Sequence, residues 1–307
     1  MKKYNLKYFH SNNLLIIDGH SCLYKSYYAL PKLKNQSGQL TGAIYGFLNT
    51  LNILKHILKP KKMIVVFDSY KKTNRHILYK PYKKKRKPMP ENLIFQLKSL
   101  KNILLNIGIP TITIKTIEAD DIIGTLSIFF RKKFSKIFIY SADKDMFQLV
   151  NSTVHIIQTL KKFKILSEIE IYNKFNLTPH KIIDFFSLIG DMSDNIPGVP
   201  GIGPKTALFL LKNFHSLKNI YKNLKIIKKF SEKKYQRIAK ILKKNKKLAF
   251  LSKKLVSINT QIDLKINFKK LFEKKKNNNF IIKIFKKYQF DKFLKNIKNK
   301  TFYLLNE

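Results

Sequence analysis

The order of elements in this 307-residue sequence predicts an α/β fold, with a largely parallel central sheet flanked by helices. Apolar runs at Leu14–Ile17, Met63–Phe67, Thr111–Ile114 and Ile137–Tyr140 are continuous rather than alternating, as strands covered on both faces are. Amphipathic stretches at 43–58, 91–106 and 120–133 lie between them and supply the crossover helices. Asp18, Asp68 and the Asp143/Asp145 pair stand at the ends of three of the runs, where ligands of open α/β sheets collect.

The first run closes on Asp18-Gly19 and the second on Asp68. Thr111–Ile114 is β-branched, and Glu118, Asp120 and Asp121 follow it at the start of a helix. Ile137–Tyr140 runs into Ser141-Ala142-Asp143-Lys144-Asp145. Further on, Asp191 and Asp194 precede a turn rich in glycine and proline. Half of the 18 acidic residues of the chain are therefore gathered at strand ends and turns. Helix capping explains such positions one at a time, since Asp favours first turns. Divalent cations explain them as a set.

Residues 71–88 hold nine cations, Lys71, Lys72, Arg75, Lys80, Lys83, Lys84, Lys85, Arg86 and Lys87, with Tyr79 and Tyr82 interleaved. Such a segment can clamp a phosphate backbone while its tyrosines stack on bases, or it is a solvated basic loop. The turn Gly198-Val199-Pro200-Gly201-Ile202-Gly203-Pro204-Lys205-Thr206-Ala207 places proline where a first helical turn accepts it and glycines where backbone N–H groups can face a phosphate. Two short helices joined by it would grip one strand of a duplex without reading bases. Beyond 208 the chain is Lys-rich and helical in pattern, notably at 232–250 and 278–289, with Asn277–Asn279 read as a loop.

The net charge of +44 comes from 62 Lys and Arg against 18 Asp and Glu, and it favours a polyanionic partner. Drift toward A/T-rich codons produces the same excess of Lys, Ile, Asn and Phe, and composition leaves both explanations open. A single cysteine, Cys22, excludes a disulfide framework and a thiolate cluster. The basic start Met1-Lys2-Lys3 is followed by too short an apolar stretch for a secretion signal, and no run is long enough to span a bilayer. A soluble, cytoplasmic protein is expected. The histidines show no zinc spacing, and no Walker or dinucleotide signature is present.

Taken in order, Ile17-Asp18-Gly19, Val66-Phe67-Asp68, Tyr82-Lys83 with Arg86-Lys87-Pro88-Met89-Pro90, Glu118-Ala119-Asp120-Asp121, Asp143-Lys144-Asp145-Met146 and Gly190-Asp191 through Ala207 closely resemble the 5′–3′ exonuclease domain of bacterial DNA polymerase I, within the flap endonuclease family. The resemblance spans roughly residues 14–290. It implies a nuclease core at 1–189 containing a flexible helical arch at 71–90. It also implies a helical DNA-binding region at 190–307, with a helix-turn-helix-like element whose turn lies at 196–212.

By the same resemblance, Asp18, Asp68, Glu118, Asp120 and Asp121 surround a first metal, and Asp143, Asp145, Asp191 and Asp194 a second. Asp18, Asp121, Lys83 and Arg86 are the implied catalytic set. Arg75, Tyr79, Tyr82, Lys83, Arg86, Gly198, Gly201, Gly203, Lys205 and Thr206 are the implied DNA contacts. Two or more Mg²⁺ are implied, with Mn²⁺ as substitute and K⁺ at the 196–205 turn. The implied substrates are duplexes with 5′ flaps or nicks and RNA–DNA primers. A monomer acting alongside a separate polymerase and ligase is expected, near the bacterial nucleoid. Ala142 replaces a glycine common among relatives, and Met192 a serine, without removing a carboxylate. An RNA-directed nuclease and a non-catalytic DNA-binding protein are the alternatives.

Overall fold

Leu14 and Ile16 face one side of the first strand and Leu15 and Ile17 the other, and each pair belongs to a separate apolar core. Alternate side chains of one strand thus feed two cores, which is why the run is apolar throughout. The computed structural model describes residues 12–159, 163–230, 232–273 and 275–305. The Met1-Lys2-Lys3 start lies outside them.

In chain order the elements begin β1 (Asn13–Asp18), α1 (Gly19–Ala29), α2 (Gly42–Leu58), β2 (Lys62–Val66), α3 (Asn74–Leu78), α4 (Glu91–Ile107), β3 (Thr111–Ile112) and α5 (Ala119–Phe130). Then come β4 (Lys136–Tyr140), β5 (Val154–Thr159), β6 (Phe163–Leu166), α6 (Glu168–Phe175), α7 (Ile182–Ile189) and α8 (Pro204–Phe214). The C-terminal part comprises α9 (Leu217–Lys222), α10 (Leu224–Lys229), α11 (Lys233–Lys244), α12 (Lys246–Val256), α13 (Phe268–Leu271), α14 (Asn278–Tyr288) and α15 (Asp291–Lys298).

The sheet order is β3-β2-β1-β4-β5-β6, parallel except for the antiparallel edge pair β5–β6. β1 is flanked by β2 on one side and β4 on the other, so the chain reverses its direction of winding there. In such a sheet the crevice opens at the carboxyl ends of the strands flanking the reversal. Asp18 ends β1, Asp68 follows β2, and Asp143 follows β4.

One core takes residues from α5, α7, α8 and α12, such as Ile122, Leu188, Leu211 and Leu255. The other takes Leu48 of α2, Leu97 of α4, and Phe285, Phe293 and Phe302 from the C-terminal end. The last helices therefore return to the sheet face opposite α5. Among the described residues no helix is long and apolar enough to cross a membrane.

Three local expectations change. The third strand is shorter than Thr111–Ile114, with only Val65 and Val66 of β2 as ladder partners at the sheet edge. Of the Asn277–Asn279 stretch expected as a loop, Asn278 and Asn279 already belong to α14, and only Asn277 stays outside it, its side chain accepting from Phe280 N as the cap. Within 71–90 only α3 is helical, and the rest is turns closed by Tyr82 N to Tyr79 O, Lys84 N to Pro81 O and Arg86 N to Lys83 O. Pro81, Pro88 and Pro90 keep the helix from extending.

Candidate active site

A cleft of about 540 Å³, a size suited to a nucleotide-sized ligand, opens at the carboxyl end of the sheet. Asp18, Asp68, Asp120, Asp143, Asp191 and Asp194 line it, with Lys83, Arg86, Lys144 and His20. Asp18 does cap α1, accepting from Ser21 N at 3.0 Å, yet its second oxygen accepts from Ser141 Oγ at 2.7 Å. Ser141 Oγ also accepts from Asp143 N at 3.0 Å, so one hydroxyl ties the ends of β1 and β4 together. Asp68 Oδ1 accepts from Ala119 N at 2.8 Å, which anchors the start of α5 to the end of β2. Capping and convergence are the same geometry here: the helix starts lie at the strand ends, so a capping carboxylate also faces the cleft.

A second group of carboxylates overlaps this lining. One oxygen from each of Asp145, Asp191 and Asp194 lies within 4.8 Å of the others, and all three residues are buried. Asp145 sits in a 3₁₀ turn, Asp145–Leu149, and its Oδ1 is buried without a hydrogen-bond partner among the described residues. Burial and the carboxylates of Asp143, Asp191 and Asp194 push the Asp145 carboxyl far above its ordinary range. Burial and Asp68 push Asp18 up to about 7, and burial with Asp143 raises Asp120 strongly. Carboxylates crowded this way remain ionised together only when cations join them. An orphaned buried oxygen beside two further carboxylates, with no thiolate nearby, fits a hard divalent ion.

Cations of the chain partly neutralise the cleft. Lys144 pairs with Asp191 at 2.9 Å, and Ser193 donates to the same Asp191 oxygen from both N (2.9 Å) and Oγ (2.6 Å). Burial would raise the Asp191 carboxyl, but the Ser193 and Lys144 hydrogen bonds hold it below its usual value. Arg86 pairs with Asp194 at 2.5 Å. Lys83 reaches Glu118 Oε2 at 2.6 Å and lies 3.8 Å from Asp194. Its backbone N–H also donates to Asp194 O at 2.9 Å, so the basic segment is fastened over the carboxylates.

Five of the residues expected at the site are engaged elsewhere. Asp121, expected as a metal ligand and in the catalytic set, accepts from Arg75 with both oxygens at 2.7 Å each and from Asn259 N at 2.8 Å. Consecutive residues of a helix point about 100° apart, and here Asp120 lines the cleft while Asp121 turns toward Arg75. Arg75, expected at a phosphate, also donates to Leu255 O and Ser257 O and is a buried tie between α3, α5 and the end of α12. Glu118, expected at the first metal, accepts from Thr73 Oγ1, Tyr82 Oη and Lys83 Nζ. Tyr82, expected to stack on a base, is buried with its ring edge-on to His76, and Tyr79 packs half-buried on the core.

The glycine turn divides in two. Gly190 and Gly198 have φ of 76° and 62°, and a Cβ on Gly198 would lie 2.4 Å from Gly190 N. Gly198 N donates to the buried Ser252 Oγ at 3.0 Å, so this N–H holds α12 and does not face a phosphate as expected. Gly201, Gly203, Pro204 and Lys205 are exposed and Thr206 is half-buried, at the start of α8. Sequence reasoning passed over Lys144, Ser141 and Ser193. Ser141 was accessible to it, since it directly follows a strand that pairs with the Asp18 strand, Ile17 opposite Tyr140.

Residues 13–176 match the family model described as 5′-3′ exonuclease, N-terminal resolvase-like domain, and residues 177–279 match 5′-3′ exonuclease, C-terminal SAM fold. A 5′-3′ exonuclease of Buchnera aphidicola subsp. Acyrthosiphon pisum is 46% identical over 279 residues, covering 91% of this chain and 97% of the relative. One of Aquifex aeolicus is 39% identical, covering 83% and 84%. DNA polymerase I of Bacillus subtilis is 36% identical over 92% of this chain, which spans 32% of that polymerase. In fold the chain is similar to the T5 D15 protein co-crystallized with metal ions, with a TM-score of 0.66 at 22% identity, over 81% of this chain and 90% of that one.

Proposed function

Because the chain belongs to the 5′-3′ exonuclease family, we propose that its carboxylate cleft is where a DNA phosphodiester is hydrolysed. The protein is a structure-specific 5′–3′ exonuclease and flap endonuclease, a metal-dependent phosphodiester hydrolase. The observation that carries the placement is the buried Asp145, Asp191 and Asp194 cluster with its unpartnered Asp145 oxygen.

Asp145, Asp191, Asp194 and Asp143 would hold one divalent ion, and Asp18, Asp68 and Asp120 a second. Mg²⁺, or Mn²⁺ in its place, supplies positive charge to the attacking and leaving oxygens of a phosphodiester. Ser141 keeps Asp18 and Asp143 in register across the two groups, through its hydrogen bonds to both residues. Lys83 and Arg86 sit at the cleft in pairs with Glu118 and Asp194, and meet substrate phosphate when those pairs exchange. Glu118 becomes available to a metal only once Lys83 leaves it.

A division at residues 189 and 190 is part of the same proposal, with the sheet and most of the cleft before it, the duplex-gripping helices after it, and Asp191 and Asp194 completing the carboxylate set from the second part. The exposed start of α8 at Gly203–Lys205 is suited to a backbone phosphate. K⁺ at the 196–205 turn, RNA–DNA primers as further substrates, a separate polymerase and ligase as co-workers, and a cytoplasmic monomer complete the reading.

The test is cleavage of a 5′-labelled flap duplex with Mg²⁺ and with EDTA, by the wild type and by Asp145→Asn. Mg²⁺-dependent cuts at or beside the branch are expected, with at least about a 100-fold loss in the variant and flap binding retained. A bound flap that neither Mg²⁺ nor Mn²⁺ causes to be cut would overturn the proposal.

A further inference from the structure

His20 lies in the first turn of α1, with its ring edge-on to Phe67 at 5.6 Å between centroids and 6.5 Å from Tyr24. The backbone N–H of Asp68 donates to its Nδ1 at 3.0 Å. A nitrogen that accepts a hydrogen bond carries no proton, so the ring is the neutral tautomer with its proton on Nε2. The Asp68 carboxylate, 3.4 Å from Nδ1, therefore receives no proton from it. Nε2 has no hydrogen-bond partner among the described residues, while the ring lines the cleft and its side chain is 15% exposed.

The other strong donors of the cleft are already spoken for: Lys83 by Glu118, Arg86 by Asp194 and Lys144 by Asp191. A neutral N–H in a cleft also lined by Asp18, Asp68, Asp120 and Asp143 adds no further cation to those carboxylates. It can still donate to an anionic oxygen that arrives with the substrate. The Asp68 contact fixes the ring at one nitrogen, and Phe67 fixes its plane, so Nε2–H is oriented before anything binds.

We propose that His20 is a substrate-contacting residue whose Nε2–H donates to a non-bridging phosphate oxygen of the strand held in the cleft. The assignment rests on the nuclease reading of that cleft. It gives the two ring nitrogens separate duties, Nδ1 toward Asp68 and Nε2 toward DNA. Two amide substitutions separate them, because the Asn amide overlays the Nδ1 position and the Gln amide overlays the Nε2 position.

The experiment measures flap binding in Ca²⁺ and single-turnover cleavage in Mg²⁺ for wild type, His20→Asn and His20→Gln. Duplexes carry a neutral methylphosphonate at one phosphate at a time around the branch. His20→Asn is expected to lose about tenfold, the size of one hydrogen bond to a charged oxygen, and His20→Gln to stay within about threefold of wild type. At one phosphate position, methylphosphonate and His20→Asn together should cost no more than either alone, the signature of a shared contact. Additive losses at every position, a His20→Asn equal to wild type, or a His20→Gln as impaired as His20→Asn would each overturn the contact. Thermal unfolding reports folding, and His20→Thr carries the same cycle should His20→Asn not fold. A wild type that binds without cutting would defeat the nuclease reading, and the binding cycle would still decide the contact.

Discussion

Removing the Arg75 side chain, as Arg75→Met, separates a DNA contact from a structural tie. Its guanidinium makes two bonds of 2.7 Å to Asp121 and donates to Leu255 O at 2.9 Å and Ser257 O at 2.7 Å. Both partners of the ion pair have side chains only 11% exposed. The variant would leave the Asp121 carboxylate buried with Asn259 N as its remaining donor, and two carbonyls at the end of α12 without their partner. Breaking a buried pair from one side costs about 3–5 kcal/mol, and replacing both partners by apolar residues recovers much of it. Urea unfolding should therefore show a loss on the order of 3–5 kcal/mol for Arg75→Met, largely restored in Arg75→Met with Asp121→Leu. The slope of log K against log salt for flap binding should not change, since a lost phosphate contact lowers it by about 0.9. A variant within about 1 kcal/mol of wild type whose salt slope falls by about one would refute the tie and restore Arg75 to the DNA.

Glu118 makes a pH prediction. Burial would raise its carboxyl, but the Lys83 ammonium and the Arg75 guanidinium outweigh it and bring it down to about 2 from 4.5. A depressed folded-state value means the stabilisation is present above the unfolded pKa and is lost as pH falls toward 2, on the order of 3 kcal/mol. Urea midpoints between pH 5 and 2.5 should fall more steeply for wild type than for Glu118→Gln, and parallel curves would contradict the Lys83 pairing. Asp18, raised to about 7 chiefly by burial, acts with the opposite sign, its contribution fading as pH climbs to 7 in the metal-free protein. For the glycine turn, Gly198→Ala should cost on the order of 3 kcal/mol, because its φ is positive and the added Cβ meets Gly190 N. Gly203→Ala, with φ of −90° and nothing within 4 Å, should be neutral or stabilising by about 0.5 kcal/mol. Equal effects in thermal unfolding would show that backbone freedom is not what Gly198 provides.

The α/β architecture was legible because strands buried on both faces must be apolar at every position, as Leu14 to Ile17 are. The carboxylate cleft was legible because acids in a Lys-rich chain stand out when they follow such strands. Residue order carried no sign that β6 would pair antiparallel at the edge, or that Phe285 and Phe302 would cross to the second core. Those pairings depend on which apolar face is left uncovered once the others have packed.

Within the site, local sequence placed Asp18, Asp68, Asp120 and Asp143 at the ends of elements, and element ends converge by the topology of the sheet. What it could not assign is which acid has a private partner. Glu118, Asp120 and Asp121 are near neighbours in one motif, yet Lys83 takes Glu118, Arg75 takes Asp121, and Asp120 alone lines the cleft. The sequence by itself determined the inventory of charges and the strand ends that present them. Only the tertiary structure decided how the charges are shared. Helical rotation sends adjacent side chains in different directions, and each then meets whatever cation a distant segment brings within hydrogen-bonding distance.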